Sequence, residues 1–208
     1  MDNDTRSTTT NKRGRPLAFD RDTALAQAKH LFWELGYEAT SINDLTQAMG
    51  ISPSSLYGAF GNKANLFQEV LQNYKDSNPY SISDFFESHS DYRSAMAAYL
   101  QHIAMQLTQP DHPLGCMVTS ATINCKPASN EIAEQLMQQR TQQRTILQHK
   151  IEKAIAAQQL PAKTNAGQLA NTYSALIHGM TILARDGVTQ DELLQISATA
   201  MQLWPQTG

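Results

Sequence analysis

Residues 41–60, SINDLTQAMGISPSSLYGAF, constrain the fold more than any other stretch. Ser41 and Asp44 form a capping-box pair, in which each side chain can satisfy a free backbone N–H near the other residue. Ile42, Leu45 and Met49 line the inner face of the helix that follows, and Gly50 ends it. Ser52 is then a second N-cap. Pro53 takes the first helical position, where its missing N–H costs nothing. Ile51 and Leu56 occupy the two positions of a hydrophobic staple. The spacing predicts two short helices joined by a tight Gly50-Ile51-Ser52 turn, a helix-turn-helix.

Helical periodicity extends to both sides. Ala24, Leu25, Ala28, Leu31, Phe32 and Leu35 recur at helical spacing from Asp20, and Gly36 marks a stop. Asn62 caps a helix whose apolar stripe is Leu66, Phe67, Val70, Leu71 and Tyr74. The Ser-rich stretch 77–90 reads as a linker with a broken helix. Periodicity returns at Tyr92, Met96, Tyr99, Leu100, Ile103 and Leu107, then Pro110 and Pro113 interrupt it. LGCMVTSATIN reads as one more helix, followed by a long one over about 129–159 that Leu160-Pro161 stops. Two last helices carry Leu169, Tyr173, Leu176, Ile177, Met180 and Leu183, then Leu193, Ile196, Ala200 and Leu203. No strand alternation and no internal repeat interrupts this series. The expectation is an all-α chain: a basic arm over 1–18, a three-helix helix-turn-helix unit over 19–76 with its motif at about 40–59, and a larger helical unit over 77–208.

Composition narrows the function. The 208 residues allow a sizeable core, and 41% apolar content is ordinary for a globular chain. No run approaches the roughly 18 apolar residues of a membrane span, and MDNDTRSTTTNKRGRP has no apolar signal-peptide core. The expected location is the cytoplasm, where Cys116 and Cys125 are read as thiols rather than a bridge. The sequence has no HExxH, no P-loop, no GxSxG and no strand-linked GxGxxG, and its six histidines are scattered, so no enzyme site assembles. Net charge is only −3, yet Arg6, Lys12, Arg13 and Arg15 stand together without an acid among them. Such a cluster reads either as a phosphate contact or as a solvated tail.

The outward chemistry of the second motif helix favours nucleic acid. Leu56 and Phe60 point inward, leaving Ser54, Ser55, Tyr57, Gly58 and Ala59 outside, with Lys63 just beyond. Hydroxyls, a phenol and an ammonium near helix N-termini are phosphate-contact groups. Small residues let a helix lie close to base edges in a major groove. A plain surface helix with Tyr57 packed inward is the competing reading.

Residues 13–75 resemble the DNA-binding domain of the TetR/AcrR family of regulators, through G-Y-E-A-T-S-I-N-D-L, A-x-G-I-S and S-L-Y-x-x-F-x-x-K-x-x-L-F. GCMVTSATINC also looks like a segment of one subgroup. The resemblance implies that Thr40, Tyr57 and Lys63 contact phosphates and that Ser52, Ser54 and Ser55 sit at the groove end of the recognition helix. Gly58 and Ala59 depart from the bulky residue and His common there, and offer little beyond contact with a thymine methyl. Arg13-Gly14-Arg15-Pro16 resembles an AT-hook core, which enters a narrow A·T minor groove. The expected partner is double-stranded DNA carrying a near-palindromic operator.

The resemblance further implies a homodimer through the last two helices and a small-molecule effector among the middle ones, with repression as the usual mode. Candidate pocket residues are Tyr99, His102, Ile103, Met105, Met117, Thr119, Met137, Tyr173, His178 and Met180. Each also suits a plain helical core. No cofactor is expected. Asp111, His112 and Cys116 lack a second cluster at ligand spacing, so no metal site is expected. Cys116 and Cys125 would face opposite sides of one helix, a poor disulfide geometry, but either thiol could sense oxidants. The alternatives are a thiol-sensing regulator of the same fold and a helical protein-interaction adaptor.

Overall fold

The protein is described by a computed structural model covering residues 19–77, 81–121 and 130–207. Ten α-helices follow one another among these residues: α1 Arg21–Ala39, α2 Ile42–Met49, α3 Pro53–Phe60, α4 Lys63–Asp76, α5 Ile82–Ser88, α6 Tyr92–Gln106, α7 Met117–Ser120, α8 Asn130–Ala156, α9 Ala166–Arg185 and α10 Gln190–Ala200. A 3-10 turn at Met201–Leu203 closes the series, and the described residues contain no strand.

The local signals fold as their chemistry requires. The Ser41–Asp44 capping box is reciprocal: Asp44 N–H donates to Ser41 Oγ at 3.1 Å, and Ser41 N–H donates to Asp44 Oδ2 at 2.8 Å. Both Ser41 hydrogen bonds favour the ionised carboxylate and hold the Asp44 pKa below its ordinary value. Gly50 closes α2 in the left-handed conformation, and Ile51 N–H donates back to Thr46 O at 3.1 Å. Ser52 Oγ then accepts from Ser55 N–H at 3.1 Å at the head of α3. Asn62 caps α4 in the same way.

Three sequence expectations shift. The Ser-rich stretch after residue 77 contains a formed helix, α5, because Ser81 and Asp84 make a second capping box and Ile82 and Phe86 are buried. LGCMVTSATIN is helical only over Met117–Ser120 among the described residues, with Leu114 and Gly115 lying outside the helix. Helix α1 is broken at Gly36, where the stop was expected, at φ 81° and ψ 169°, a conformation open to glycine and strained for other residues, and a second helical stretch runs on to Ala39. Leu35, just before the kink, is exposed instead of facing the core.

Thr40 contributes to that kink. Its side chain is fully buried and its hydroxyl donates to Gly36 O at 2.7 Å. Arg21 braces the other end of α1: its guanidinium bonds Glu69 of α4 at 2.6 Å and lies 4.5 Å from the centroid of the Phe60 ring of α3.

The core is divided differently from the sequence. One buried cluster joins Phe32, Leu45, Leu56, Phe60 and Phe67 of the first four helices to Met117 and Val118 of α7 and to Ile132 and Leu136 of α8. Gln68 of α4 and Gln135 of α8 exchange side-chain hydrogen bonds beside it. A second cluster unites α5, α6, α8, α9 and the C-terminal turn around Tyr99, Leu147, Tyr173 and Trp204. The helix-turn-helix unit is therefore completed by Met117, Val118, Ile132 and Leu136, which lie well beyond it in the chain.

Leu136→Ala tests this continuity. Leu136 is fully buried, so its truncation should cost about 2–5 kcal/mol through lost burial and a residual cavity. Urea unfolding followed by tryptophan fluorescence should show one transition with a lowered midpoint. A helix-turn-helix unit that melted independently of this substitution would contradict the shared core.

Candidate nucleic-acid interface and effector cavity

Helix α3 buries Leu56 and Phe60 and turns its other face outward. Tyr57 is 49% exposed, and Gly58 is exposed with nothing within 4 Å of where a Cβ would stand. Ser52 and Ser54 are exposed and Ser55 half-buried. The three hydroxyls form one network, with Ser52 Oγ 2.8 Å from Ser54 Oγ and 2.9 Å from Ser55 Oγ. These groups, Ser52, Ser54, Ser55, Tyr57 and Gly58, share the open end of the helix-turn-helix. Lys63, at the start of α4, is half-buried, and its ammonium lies 4.3 Å from the centroid of the Tyr37 ring.

Thr40 stands apart from the expectation drawn for it. Its hydroxyl is buried and donates to Gly36 O inside the fold. Arg13 and Arg15 lie outside the described residues, as does Cys125.

The second site is a cavity of about 730 Å³. Of the candidate pocket residues, Tyr99, His102, Ile103, Thr119 and His178 line it. The other candidates lie elsewhere. Met117, Tyr173 and Met180 are core side chains, and the Tyr173 hydroxyl donates to Ala200 O at 3.1 Å. Met105 is exposed. Met137, 52% exposed, borders a smaller cleft of about 340 Å³ that also holds Arg140, Arg144 and His178.

Sequence reasoning did not find that the cavity wall includes α1 and α4. Trp33 and Tyr74 line it together with His112 and Cys116. Trp33 is buried, its ring stacks on His112 at 4.2 Å, and it meets Tyr74 edge-on at 4.9 Å. Its Nε1 has no hydrogen-bond partner among the described residues, so ring packing holds the indole. The Tyr74 hydroxyl donates to Cys116 Sγ at 3.5 Å. The available signal was Trp33 itself: placed next to Phe32, it widens the apolar face of α1 enough to need a second partner.

Burial favours the neutral forms of the histidines and tyrosines in this wall, while Lys29 and Asp111 also line the cavity. Burial lowers the His102 pKa, and for His178 it is joined by repulsion from Arg140 and Arg144. Burial also raises the Tyr99 and Tyr74 hydroxyls above their ordinary value. Among the described residues, no three His, Cys, Asp or Glu side chains gather as a metal site.

The histidines carry a pH signature. Their folded pKa values lie below the ordinary 6.5, so below that pH the unfolded chain binds protons that the native state refuses. Stability is therefore full above about pH 6.5 and is lost as pH falls towards the folded values. The carboxylates with lowered pKa, Asp44 and Glu192 among them, act only below their ordinary 3.8 and 4.5. Thermal unfolding should show a lower midpoint at about pH 5.5 than at pH 7.5, and a His102→Gln, His178→Gln double variant should flatten that interval. An unchanged slope in the double variant would contradict the burial argument.

Similar proteins share this architecture. Residues 24–70 match the family described as bacterial regulatory proteins, tetR family, and residues 93–195 match the tetracyclin repressor-like C-terminal domain. The chain is 38% identical over 196 residues to the HTH-type transcriptional repressor ComR of Escherichia coli (strain K12), covering 93% of each chain. It is 28% identical over 190 residues to the HTH-type transcriptional repressor BdcR of the same organism, covering 90% of each. Among solved structures it is similar to a cysteine mutant of the TetR family transcriptional regulator CifR complexed with 26bp double-strand operator DNA. That match has a TM-score of 0.86 and 34% identity, and covers 92% of this chain and 100% of that one. With an exposed recognition helix built on a shared core and this similarity along nearly its whole length, the chain belongs to the tetR family of bacterial regulatory proteins.

Proposed function

We propose that this protein is a homodimeric repressor that binds a near-palindromic operator and leaves it when a small molecule occupies the 730 Å³ cavity. The observation that carries the reading is the open face of α3, where Ser54, Tyr57 and Gly58 are exposed while Leu56 and Phe60 hold the helix to the core. Its hydroxyls and phenol suit phosphate oxygens, and Gly58 allows close approach to bases. Lys63 and the basic arm with Arg13 and Arg15 supply charge to neutralise the backbone. Repression follows the two similar repressors of Escherichia coli.

The outer face of α9 supports a dimer. Ala175 and Gly179 are exposed and small enough for close helix approach, and Ile182 and Leu183 are exposed apolar side chains one turn further on. Two-fold pairing would set two recognition helices about 34–36 Å apart, one turn of DNA. The effector acts by preferring the state that cannot bind DNA. A thiol-sensing variant of this reading is favoured by one observation: Cys116 borders the cavity and accepts a hydrogen bond from Tyr74. Loss of operator binding on maleimide labelling of Cys116 supports that variant, and a native protein that does not react removes it.

Selection of bound sequences from a random duplex pool at physiological salt tests the main reading. The expected result is a near-palindrome with A·T-rich flanks, the flanks disappearing when residues 1–16 are removed. Tyr57→Phe should weaken binding about fivefold on any duplex sequence, as loss of a phosphate contact does. No enrichment at all would overturn the regulator and leave the adaptor.

A further inference from the structure

Residues that line the cavity also form the joint between the two halves of the molecule. Helix α1 kinks at Gly36, and the carbonyls of a last helical turn need donors from elsewhere. Arg185, the last residue of α9, supplies two: Nη1 donates to Trp33 O at 3.3 Å and Nη2 to Glu34 O at 3.0 Å. A cation at this end of a helix also meets its negative dipole. The guanidinium meets the two carbonyls from two separate nitrogens held in one rigid plane, a geometry that a point-like ammonium does not reproduce.

The 107–116 loop reaches the same residues from the cavity side. Gly115 sits at φ +86° so close to α9 that a Cβ would lie 3.0 Å from Arg185 Cγ and 3.1 Å from Thr181 O. The Gly115 N–H donates to Leu107 O at 2.9 Å, which ties the loop back to the end of α6. His112 of the same loop stacks on the Trp33 ring. The loop thus packs His112 on the side chain of Trp33 and passes Gly115 beside the stem of Arg185 where a larger residue would crowd it, while Arg185 holds the Trp33 carbonyl. Trp33, His112, Gly115 and Thr181 all line the cavity.

We propose that Arg185 is the positioning residue through which the state of the cavity reaches α1 and hence the DNA-binding helices; this rests on the regulator reading given above. A molecule that displaces the 107–116 loop changes the packing on the Arg185 stem and on the Trp33 ring together. Tightly packed joints of this kind move between discrete arrangements rather than yielding gradually. Helix α1 is the element that must follow, because its kinked end is held from α9 and its body lies in the core that carries α3.

Coupling between two sites is reciprocal, so DNA can serve as the probe in place of an effector. Amide hydrogen exchange is measured on the full chain, free and saturated with the duplex enriched by selection. In the unmodified protein, DNA should change exchange in residues 107–116 by about fivefold or more. In Arg185→Gln, and in Arg185→Lys, which keeps the charge but loses the fork, the protein should still bind the duplex while that change falls away. A merely structural Arg185 would alter melting in both variants and leave the DNA-induced change intact, which overturns the proposal. Duplex binding with no exchange change in the unmodified protein overturns it as well. A chain that binds no duplex overturns the regulator reading first, and the proposal with it.

Discussion

The burial of α1 on two faces is the interaction on which the rest of the structure depends. One face places Ala24, Ala28 and Phe32 in the core of the helix-turn-helix unit. Trp33 turns towards α4, the 107–116 loop and the cavity. A helix with apolar residues around so much of its circumference must be enclosed by two partners. Here the partners are the helix-turn-helix unit and the C-terminal helical domain. Edge-to-face packing of Phe32 on Phe67 at 5.0 Å and the stack of Trp33 on His112 at 4.2 Å stand on adjacent residues of one helix.

This arrangement gives the molecule a physical basis for regulation. A flexibly tethered pair of domains would transmit nothing from a cavity to a DNA-binding helix. In this chain Met117, Val118, Ile132 and Leu136 belong to the same buried cluster as Leu56 and Phe60 of α3. Interiors are close-packed, so displacement at one edge of such a cluster is felt at the other. The cavity borders that edge, and burial favours the neutral forms of His102, His178 and Tyr99 in its wall.

How much of this the sequence disclosed depended on the range of the interaction. Ser41, Asp44, Gly50, Ser52 and Pro53 act within four residues of themselves, and the helix-turn-helix could be read from them directly. The outward face of α3 followed from the same periodicity, because Leu56 and Phe60 fixed what remained outside. Helix α5 reads in the sequence only as a broken helix within a Ser-rich linker, although Ser81 and Asp84 carry the same capping signal as Ser41 and Asp44. Thr40 was assigned to a phosphate by resemblance, whereas its hydroxyl is consumed locally by the Gly36 kink. Met117, Tyr173 and Met180 could not be sorted between core and cavity, since both environments select the same side chains. The roles of Leu136, Arg185 and His112 depend on contacts with residues far away in the chain, and no local pattern encodes them.

The DNA-binding helices and the cavity share one packed body through α1. The chain contains two tryptophans, and Trp204 lies in the separate cluster around Tyr173. In a Trp204→Phe variant, Trp33 fluorescence therefore reports on the cavity wall alone. Titration of that variant with operator duplex should shift or quench the emission in proportion to DNA bound. Saturation with DNA that leaves Trp33 emission unchanged would contradict the account.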